Sequence, residues 1–343
     1  MGEYILAAAV AMLISFLMTP LAKRFAHMAG AIDVPKDDRR IHKAPIPRLG
    51  GLAILVSTVL SILLFVELDK SVYAILVGGI VIAISGIIDD IKPMTPKLKM
   101  LFQIVAAGIL VYGGVSIQIL TNPFQEGGYI SLGVLGIPLT LFWVVGITNT
   151  VNLIDGLDGL SAGASAISAL SFAVISYIVG DSNVAIMSLI LAGAAIGFLP
   201  YNFNPASIFM GDTGALYLGF MLSAIAIEGA VKGAAAVAMV IPILTLGLPV
   251  FDTTFAILRR YKNKRPIMEA DRGHLHHRLL DLGFGQRRTV IILYVVSIVF
   301  GISAILMSKM DFFQGAVFLA VIMVIVVGSM LKLRELGRKI RNR

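Results

Sequence analysis

Carboxylates and amides collect at three places in this chain, and imidazoles with basic residues at a fourth. Asp89 and Asp90 stand side by side at the end of an apolar stretch. Asn149, Asn152, Asp155 and Asp158 are spaced through Asn149-Thr-Val-Asn-Leu-Ile-Asp-Gly-Leu-Asp-Gly159, and Asn202, Asn204 and Asp212 through Tyr201-Asn-Phe-Asn-Pro-Ala-Ser-Ile-Phe-Met-Gly-Asp212. His274, His276 and His277 fall in Asp271-Arg-Gly-His-Leu-His-His-Arg278. Clustered oxygen ligands in a chain without cysteine suit a hard cation such as Mg²⁺, with Mn²⁺ as the alternative, and such cations commonly bridge substrate phosphates. Zinc is the weaker reading, because the histidines lack the usual i, i+4 spacing. Arg272, His274, His276, His277 and Arg278 read instead as a cationic lid able to hold a diphosphate by charge-assisted hydrogen bonds. Gly156, Gly159, Gly211 and Gly214 interleave the acids and allow close backbone approach to a ligand. A Gly-x-x-x-x-Gly-Lys-Ser/Thr loop is absent, so ordinary ATPase chemistry is not supported.

The elements that position these groups are membrane spans. The 343 residues are 58% hydrophobic and 14% charged, with mean hydropathy +0.92, too apolar for a soluble domain. Hydropathy and breakers predict eleven spans, at 3–22, 49–66, 72–88, 98–116, 132–149, 159–179, 183–200, 213–229, 233–256, 289–308 and 312–331. Backbone groups in lipid must be satisfied within the segment, so these are helices. The expectation is an all-α integral membrane protein, a single polytopic domain built as a bundle of about eleven transmembrane helices. Of 28 Lys and Arg, all but Lys70, Lys232 and Lys309 fall on one side of this topology. Cytoplasmic loops retain basic residues, which puts the N-terminus outside and the C-terminus in the cytoplasm. The first stretch, closed by Lys23 and Arg24, has the reverse of a signal peptide's charge order and reads as an uncleaved anchor. All four polar groups then face the cytoplasm, in loops at 23–48, 89–99, 150–158, 200–212 and 258–288. The net charge of +8 flanks spans rather than forming a groove with aromatics, so nucleic acid is not an expected partner. The basic tail from Lys332 to Arg343 is expected along anionic headgroups.

The residues also resemble a family. Asp89-Asp90, the Asn149 to Leu160 motif, Asn202 through Asp212 and the histidine loop, in that order along nearly the whole chain, look like the polyprenyl-phosphate N-acetylhexosamine-1-phosphate transferase superfamily. The loop from Asp271 to Arg278 is similar to the branch that starts teichoic acid, O-antigen and enterobacterial common antigen synthesis. The branch using the peptidoglycan pentapeptide precursor tends to carry three adjacent histidines, which Leu275 interrupts here. The resemblance implies UDP-N-acetylglucosamine and undecaprenyl phosphate as substrates, UMP as leaving group, a required Mg²⁺ and a plasma-membrane location. It implies Asp212 and Asn152 at the metal. It also implies that Asp89 removes a proton from the lipid phosphate with support from Asp90; because a phosphate monoester is already largely ionised near neutral pH, positioning alone is the alternative. Lys43 and Lys99 match phosphate-contacting positions, and Asp158, Asn202 and Phe209 match the nucleotide pocket, where an aromatic face can stack on uracil. Asn149 and Asp155 are placed with substrate by the same motif, and the histidines with catalysis.

Other residues carry blander readings. Asp252 either lines the site or links to Arg259 or Arg260. Glu228, near the outer end of the eighth span, reads as a surface group, and Trp143 as packing. Rival functions are the pentapeptide transferase, a secondary transporter with proton-coupling carboxylates, and a non-catalytic scaffold. Transporters place such carboxylates near mid-bilayer, whereas these gather at one face. A homodimer is compatible with such a bundle, though no sequence feature argues for an interface. Direct attack by the lipid phosphate is preferred over a covalent aspartyl-phosphate intermediate, the alternative that the sequence leaves open.

Overall fold

The computed structural model describes residues 2–35, 44–121, 128–232, 240–264, 273–310 and 312–341. Helices dominate: α1 (Gly2–Ala29), α2 (Gly51–Phe65), α3 (Lys70–Ile91), α4 (Pro96–Gly113), α5 (Gly136–Leu153), α6 (Leu160–Val179), α7 (Ser182–Asn202), α8 (Gly211–Lys232), α9 (Val240–Thr245), α10 (Gly247–Lys262), α11 (Leu275–Asp281), α12 (Gln286–Met307) and α13 (Phe312–Arg341). Their starts follow local chemistry. Asp69 and Asp181 accept the amides of Val72 and Val184 at the heads of α3 and α7. Thr95 does the same for Leu98 in α4, with Pro96 at the first turn, where its missing N–H costs nothing.

Seven helices among the described residues, α1, α3, α4, α5 with its preceding turn, α6, α7 and α12, are long and apolar enough to cross a membrane. The chain is thus a multi-pass helical membrane protein. Two departures from the expected bundle stand out. Two short antiparallel ribbons, β1 (Ile32–Asp33) with β2 (Ile46–Pro47) and β3 (Ile119–Thr121) with β4 (Tyr129–Ser131), interrupt the all-α pattern in loops. The expected ninth span is also no continuous helix: its first part, 233–239, lies outside the described residues, and the rest breaks between α9 and α10 at Leu246. Pro249 has no N–H to close the helical bond onto the Thr245 carbonyl, and the Ser168 hydroxyl donates to that carbonyl instead, at 2.9 Å.

α8 is the axis. It packs against α2, α3, α5, α6 and α7, and its residues from Thr213 to Glu228 are buried, as expected of a helix apolar on every side. Glu228, read from sequence as a surface group, is 7% exposed and accepts a hydrogen bond from Ser71 at 3.1 Å. Trp143 is buried and donates to the Ser223 carbonyl across α5 and α8. On the flank, Ala7, Ala11, Ser15, Thr19, Ala22 and Ala26 form the buried stripe of α1, and Gly193 and Gly197 of α7 rest against the backbone of Ala8 and Met12. Small residues let these helices approach where lipid supplies no hydrophobic drive.

The head of α8 is held still more closely. A Cβ on Gly51 would collide with the backbone of Gly214, and one on Gly86 with the backbone of Thr213, so α2 and α3 both touch the first turn of α8. Gly51→Val and Gly86→Val are each expected to destabilise the protein by about 1–3 kcal/mol, the usual range for forcing methyl groups into a packed contact. Gly108→Ala, on α4 with open space around it, should be neutral or stabilising by up to about 1 kcal/mol; unfolding midpoints in detergent check the contrast.

Candidate active site at the head of the central helix

Asp89 and Asp90 end α3, where the helix dipole disfavours carboxylates. The neighbouring start of α8 supplies the compensation. Asp90 is 2% exposed; its Oδ1 accepts the amide of Asp212 at 3.0 Å, and its Oδ2 accepts the amide and hydroxyl of Thr213 at 3.0 and 2.7 Å. It therefore caps a helix other than its own. Gly211, at φ +71°, makes the turn into α8 in a conformation that favours glycine, and a Cβ there would meet Asp90 and the Arg48 carbonyl. Arg48 donates to the carbonyls of Asp90 at 3.0 Å and Asp89 at 3.4 Å, closing the end of α3.

With α8 so anchored, Asp212 in its first turn meets Lys99 from the first turn of α4. The Lys99 ammonium lies 2.6 Å from Asp212 Oδ2 and 2.8 Å from Asp89 Oδ2. Asp89 Oδ1 accepts the Met94 amide at 2.6 Å, which fixes the turn between α3 and α4. On the other side of Asp212, Asn152 Nδ2 lies 3.2 Å from Oδ1. Asn149, one helical turn earlier, is turned away from this group: it exchanges amide hydrogen bonds with Gln103 at 2.6 and 3.2 Å and donates to the Val145 carbonyl.

A cleft of about 930 Å³ opens beside these helix ends, lined among others by Asp90, Asn152, Asp155, Asp158, Phe209 and Asp212. Asp158 Oδ2 accepts from Asn204 Nδ2 at 2.9 Å and from the Ala206 amide at 3.1 Å. Asn202 lines the cleft but spends its side chain on structure, accepting from the Gly159 amide and donating to the Ile208 carbonyl, both at 3.0 Å. Phe209 is half-buried in the wall, and its backbone is paired with Pro47 and Gly50. Lys43 and Arg272 lie outside the described residues.

Among the described residues, Asp89, Asp90, Asp155, Asp158 and Asp212 gather around Lys99 and Arg48. Burial, then the charges of Asp212, Asp90 and Asp158, push the Asp155 carboxyl up to about 8. Among the described residues no three acidic or histidine side chains converge to hold a metal by themselves. Asp212 and the Asn152 amide, whose oxygen and nitrogen can exchange places by a flip, could supply two oxygen ligands. That donor set fits a cation that keeps waters and borrows phosphate oxygens.

The histidines divide. His277 reaches the cleft wall. His276 is 3% exposed against Gly156; burial, helped by His277 and His274 and opposed by Asp252, lowers its pKa to about 4. It is neutral at neutral pH, which removes it from the cationic lid read from sequence. His274 is buried and does not line the cleft: its Nδ1 lies 2.9 Å from Asp252 Oδ2. Sequence reasoning missed Arg48, Thr213 and Gln286, which bonds Asn204 at 2.8 Å in the cleft wall. Thr213 lies between Asp212 and Gly214, both singled out from sequence, whereas Arg48 and Gln286 fall in no motif singled out there.

Fold and site together give a multi-pass helical membrane protein with a carboxylate-lined cleft at its helix ends. The pattern of glycosyl transferase family 4 matches residues 72–230. A probable undecaprenyl-phosphate N-acetylglucosaminyl 1-phosphate transferase of Bacillus subtilis is 40% identical over 310 residues, 90% of this chain and 86% of its own length. A decaprenyl-phosphate N-acetylglucosaminephosphotransferase of Mycobacterium tuberculosis is 36% identical, covering 98% and 90%. A phospho-N-acetylmuramoyl-pentapeptide-transferase of Aquifex aeolicus is 33% identical, covering 77% and 79%. The chain belongs to glycosyl transferase family 4, within the polyprenyl-phosphate N-acetylhexosamine-1-phosphate transferase superfamily.

His276 gives a pH prediction. Its folded pKa lies below the unfolded value of 6.5, so the unfolded chain takes up the proton first and stability falls as pH drops from about 6.5 to about 4. Over that window the stability of wild type relative to His276→Gln should decline by up to about 3 kcal/mol, read from unfolding midpoints of the two proteins in one buffer series.

Proposed function

We propose that the protein transfers N-acetylglucosamine-1-phosphate from UDP-N-acetylglucosamine to undecaprenyl phosphate, releasing UMP. The observation that carries this reading is the Lys99 ammonium held between Asp89 and Asp212 beside a cleft of about 930 Å³. Both substrates are anions, so a site for their union must neutralise charge and align reactants, which is most of what phosphoryl transfer asks of a protein. The product is an undecaprenyl-diphospho-N-acetylglucosamine that begins a cell-envelope glycopolymer of teichoic acid or O-antigen type.

In this reading a phosphate oxygen of the carrier lipid attacks the phosphorus that bears the sugar. A new P–O bond forms, the bond from that phosphorus to the oxygen bridging to UMP breaks, and UMP departs with the electron pair. Lys99 steadies the phosphate oxygens, and Asp89 and Asp212 hold Lys99 in place. Asp158 and Phe209 receive the nucleotide, with Asn202 holding the loop that carries Asp158. His277 meets the diphosphate from the cleft wall, and Lys43 and Arg272 keep the phosphate-binding roles read for them from the sequence. Asp212 and Asn152 would hold Mg²⁺, which supplies charge neutralisation at the diphosphate when bound. The carboxylates of Asp212, Asp90 and Asp158, whose charges add to burial in raising the Asp155 pKa, support that assignment. The basic residues support eleven spans with the site facing the cytoplasm of a plasma membrane, the nucleotide sugar entering from solvent and the lipid phosphate from the bilayer.

The second reading is the same chemistry on the UDP-muramoyl pentapeptide, favoured by the Aquifex relative and disfavoured by Leu275 within the histidine run. The test is UMP release with formation of lipid-linked sugar by the purified protein, given undecaprenyl phosphate with either nucleotide sugar, with and without Mg²⁺. Turnover of UDP-N-acetylglucosamine alone, abolished by chelation, is the expected result. Turnover of the pentapeptide substrate alone moves the protein to the second reading, and turnover undiminished by chelation overturns the metal assignment.

A further inference from the structure

A carboxylate outside the acidic cluster governs the histidine loop. Asp252 lies on α10, is 6% exposed, and points both oxygens at the start of α11. Oδ2 is 2.9 Å from His274 Nδ1, and Oδ1 accepts the Leu275 amide at 2.8 Å. His274 is the residue before α11 and makes no side-chain cap of its own, so Asp252 supplies from another helix the acceptor that a Ser or Asp at that place would provide. The same contact fixes the imidazole tautomer: with a carboxylate at Nδ1, the proton sits on Nδ1. The turn is further held through the Gly273 carbonyl, which accepts from Arg259 at 2.7 Å and from Arg278 at 3.0 Å.

What α11 carries explains the use of this clamp. The rings of His274 and His276 stack at 5.7 Å, and those of His276 and His277 meet at 4.3 Å. His276 covers Gly156 in the acidic loop, where a Cβ would lie 2.7 Å from its Nε2, and His277 faces the cleft. Asp252 is thus joined to the cleft wall through three adjacent imidazoles and one short helix. The α11 segment is only seven residues long, too short to hold its place without outside support.

We propose that Asp252 is a positioning residue for the transfer reaction: by fixing His274 and the first turn of α11 it aims His277 at the diphosphate of the nucleotide sugar. The inference rests on the functional reading above, but its structural half is tested without substrate. In Asp252→Asn, amide hydrogen exchange over 273–281 should rise by about tenfold or more, the equivalent of about 1.4 kcal/mol of local stability, while exchange in α8 stays as in wild type. Unchanged exchange over 273–281 overturns the proposal whether or not the protein turns over UDP-N-acetylglucosamine. In active protein, Asp252→Asn should raise KM for the nucleotide sugar by about tenfold and leave KM for undecaprenyl phosphate within about twofold. Asp252→Glu, which keeps the charge, should recover part of the loss. Equal effects on both KM values, or a fall in kcat alone, would mark a role in general stability and contradict the proposal. Failure of wild type to use UDP-N-acetylglucosamine would instead strike the functional reading, and leaves the exchange result to decide the clamp.

Discussion

The hydrogen bonds from the head of α8 to the buried carboxylate of Asp90 are the interaction on which the rest of the site depends. A helix start presents amides without intrahelical partners and the positive end of a dipole, and a helix end presents the reverse. Asp90 brings its carboxyl group from the end of α3 to the start of α8, so one side chain answers two mismatches. The contact is possible because Gly51, Gly86 and Gly211 let the backbones meet there. Asp212 is the second residue of α8, and its position beside Lys99, Asp89 and Asn152 follows from that anchorage.

The remaining walls are built by the same device, polar side chains spent on backbone groups of other segments. Asn202 accepts the Gly159 amide, and the Tyr294 hydroxyl donates to the Gly159 carbonyl, so both sides of that residue are fixed and the Asp155–Asp158 loop cannot drift. Asp158 gathers Asn204 and Ala206, and Asp252 gathers His274 and Leu275. In a bundle whose outer faces meet lipid, apolar burial distinguishes helix neighbours weakly, and directional contacts of this kind set the register. The cost is a gathering of carboxylates at one end of the bundle, where burial first and then the charges of Asp212, Asp90 and Asp158 raise the pKa of Asp155, and which anionic substrates can approach only with cations present.

Much of this was legible in the sequence. Hydropathy and length marked the helices because an apolar span of that length satisfies its own backbone groups in lipid only as a helix, and the acids were found because ionisable groups at span ends are few. What hydropathy could not give was the break at Leu246, since its window averages over a missing proline N–H, or the ribbons, which are two or three residues long. Within the site, sequence grouped Asn149 and Asn202 with substrate because they share motifs with Asp155 and Asp212, and could not tell an amide facing the cleft from one paired to Gln103 or to a loop backbone. Burial also separated the histidines: His276 and His274 are enclosed and His277 is not, a distinction that adjacent positions in a chain do not carry. Asp252 was ambiguous because its partner is 22 residues away in sequence, across residues 265–272, which lie outside the described structure.

The measurement that bears most directly on the account is a double-mutant cycle in kcat/KM between Asp90→Asn and Asp212→Asn, made on protein shown to be folded. If Asp90 serves the reaction by holding Asp212 in place, its substitution lowers kcat/KM by about a hundredfold in wild type and by less than about threefold once Asp212 is already gone, since groups that act as a unit are not additive. Equal losses in both backgrounds would show that Asp90 acts independently of Asp212, and would contradict the claim that its bond to the head of α8 organises the site.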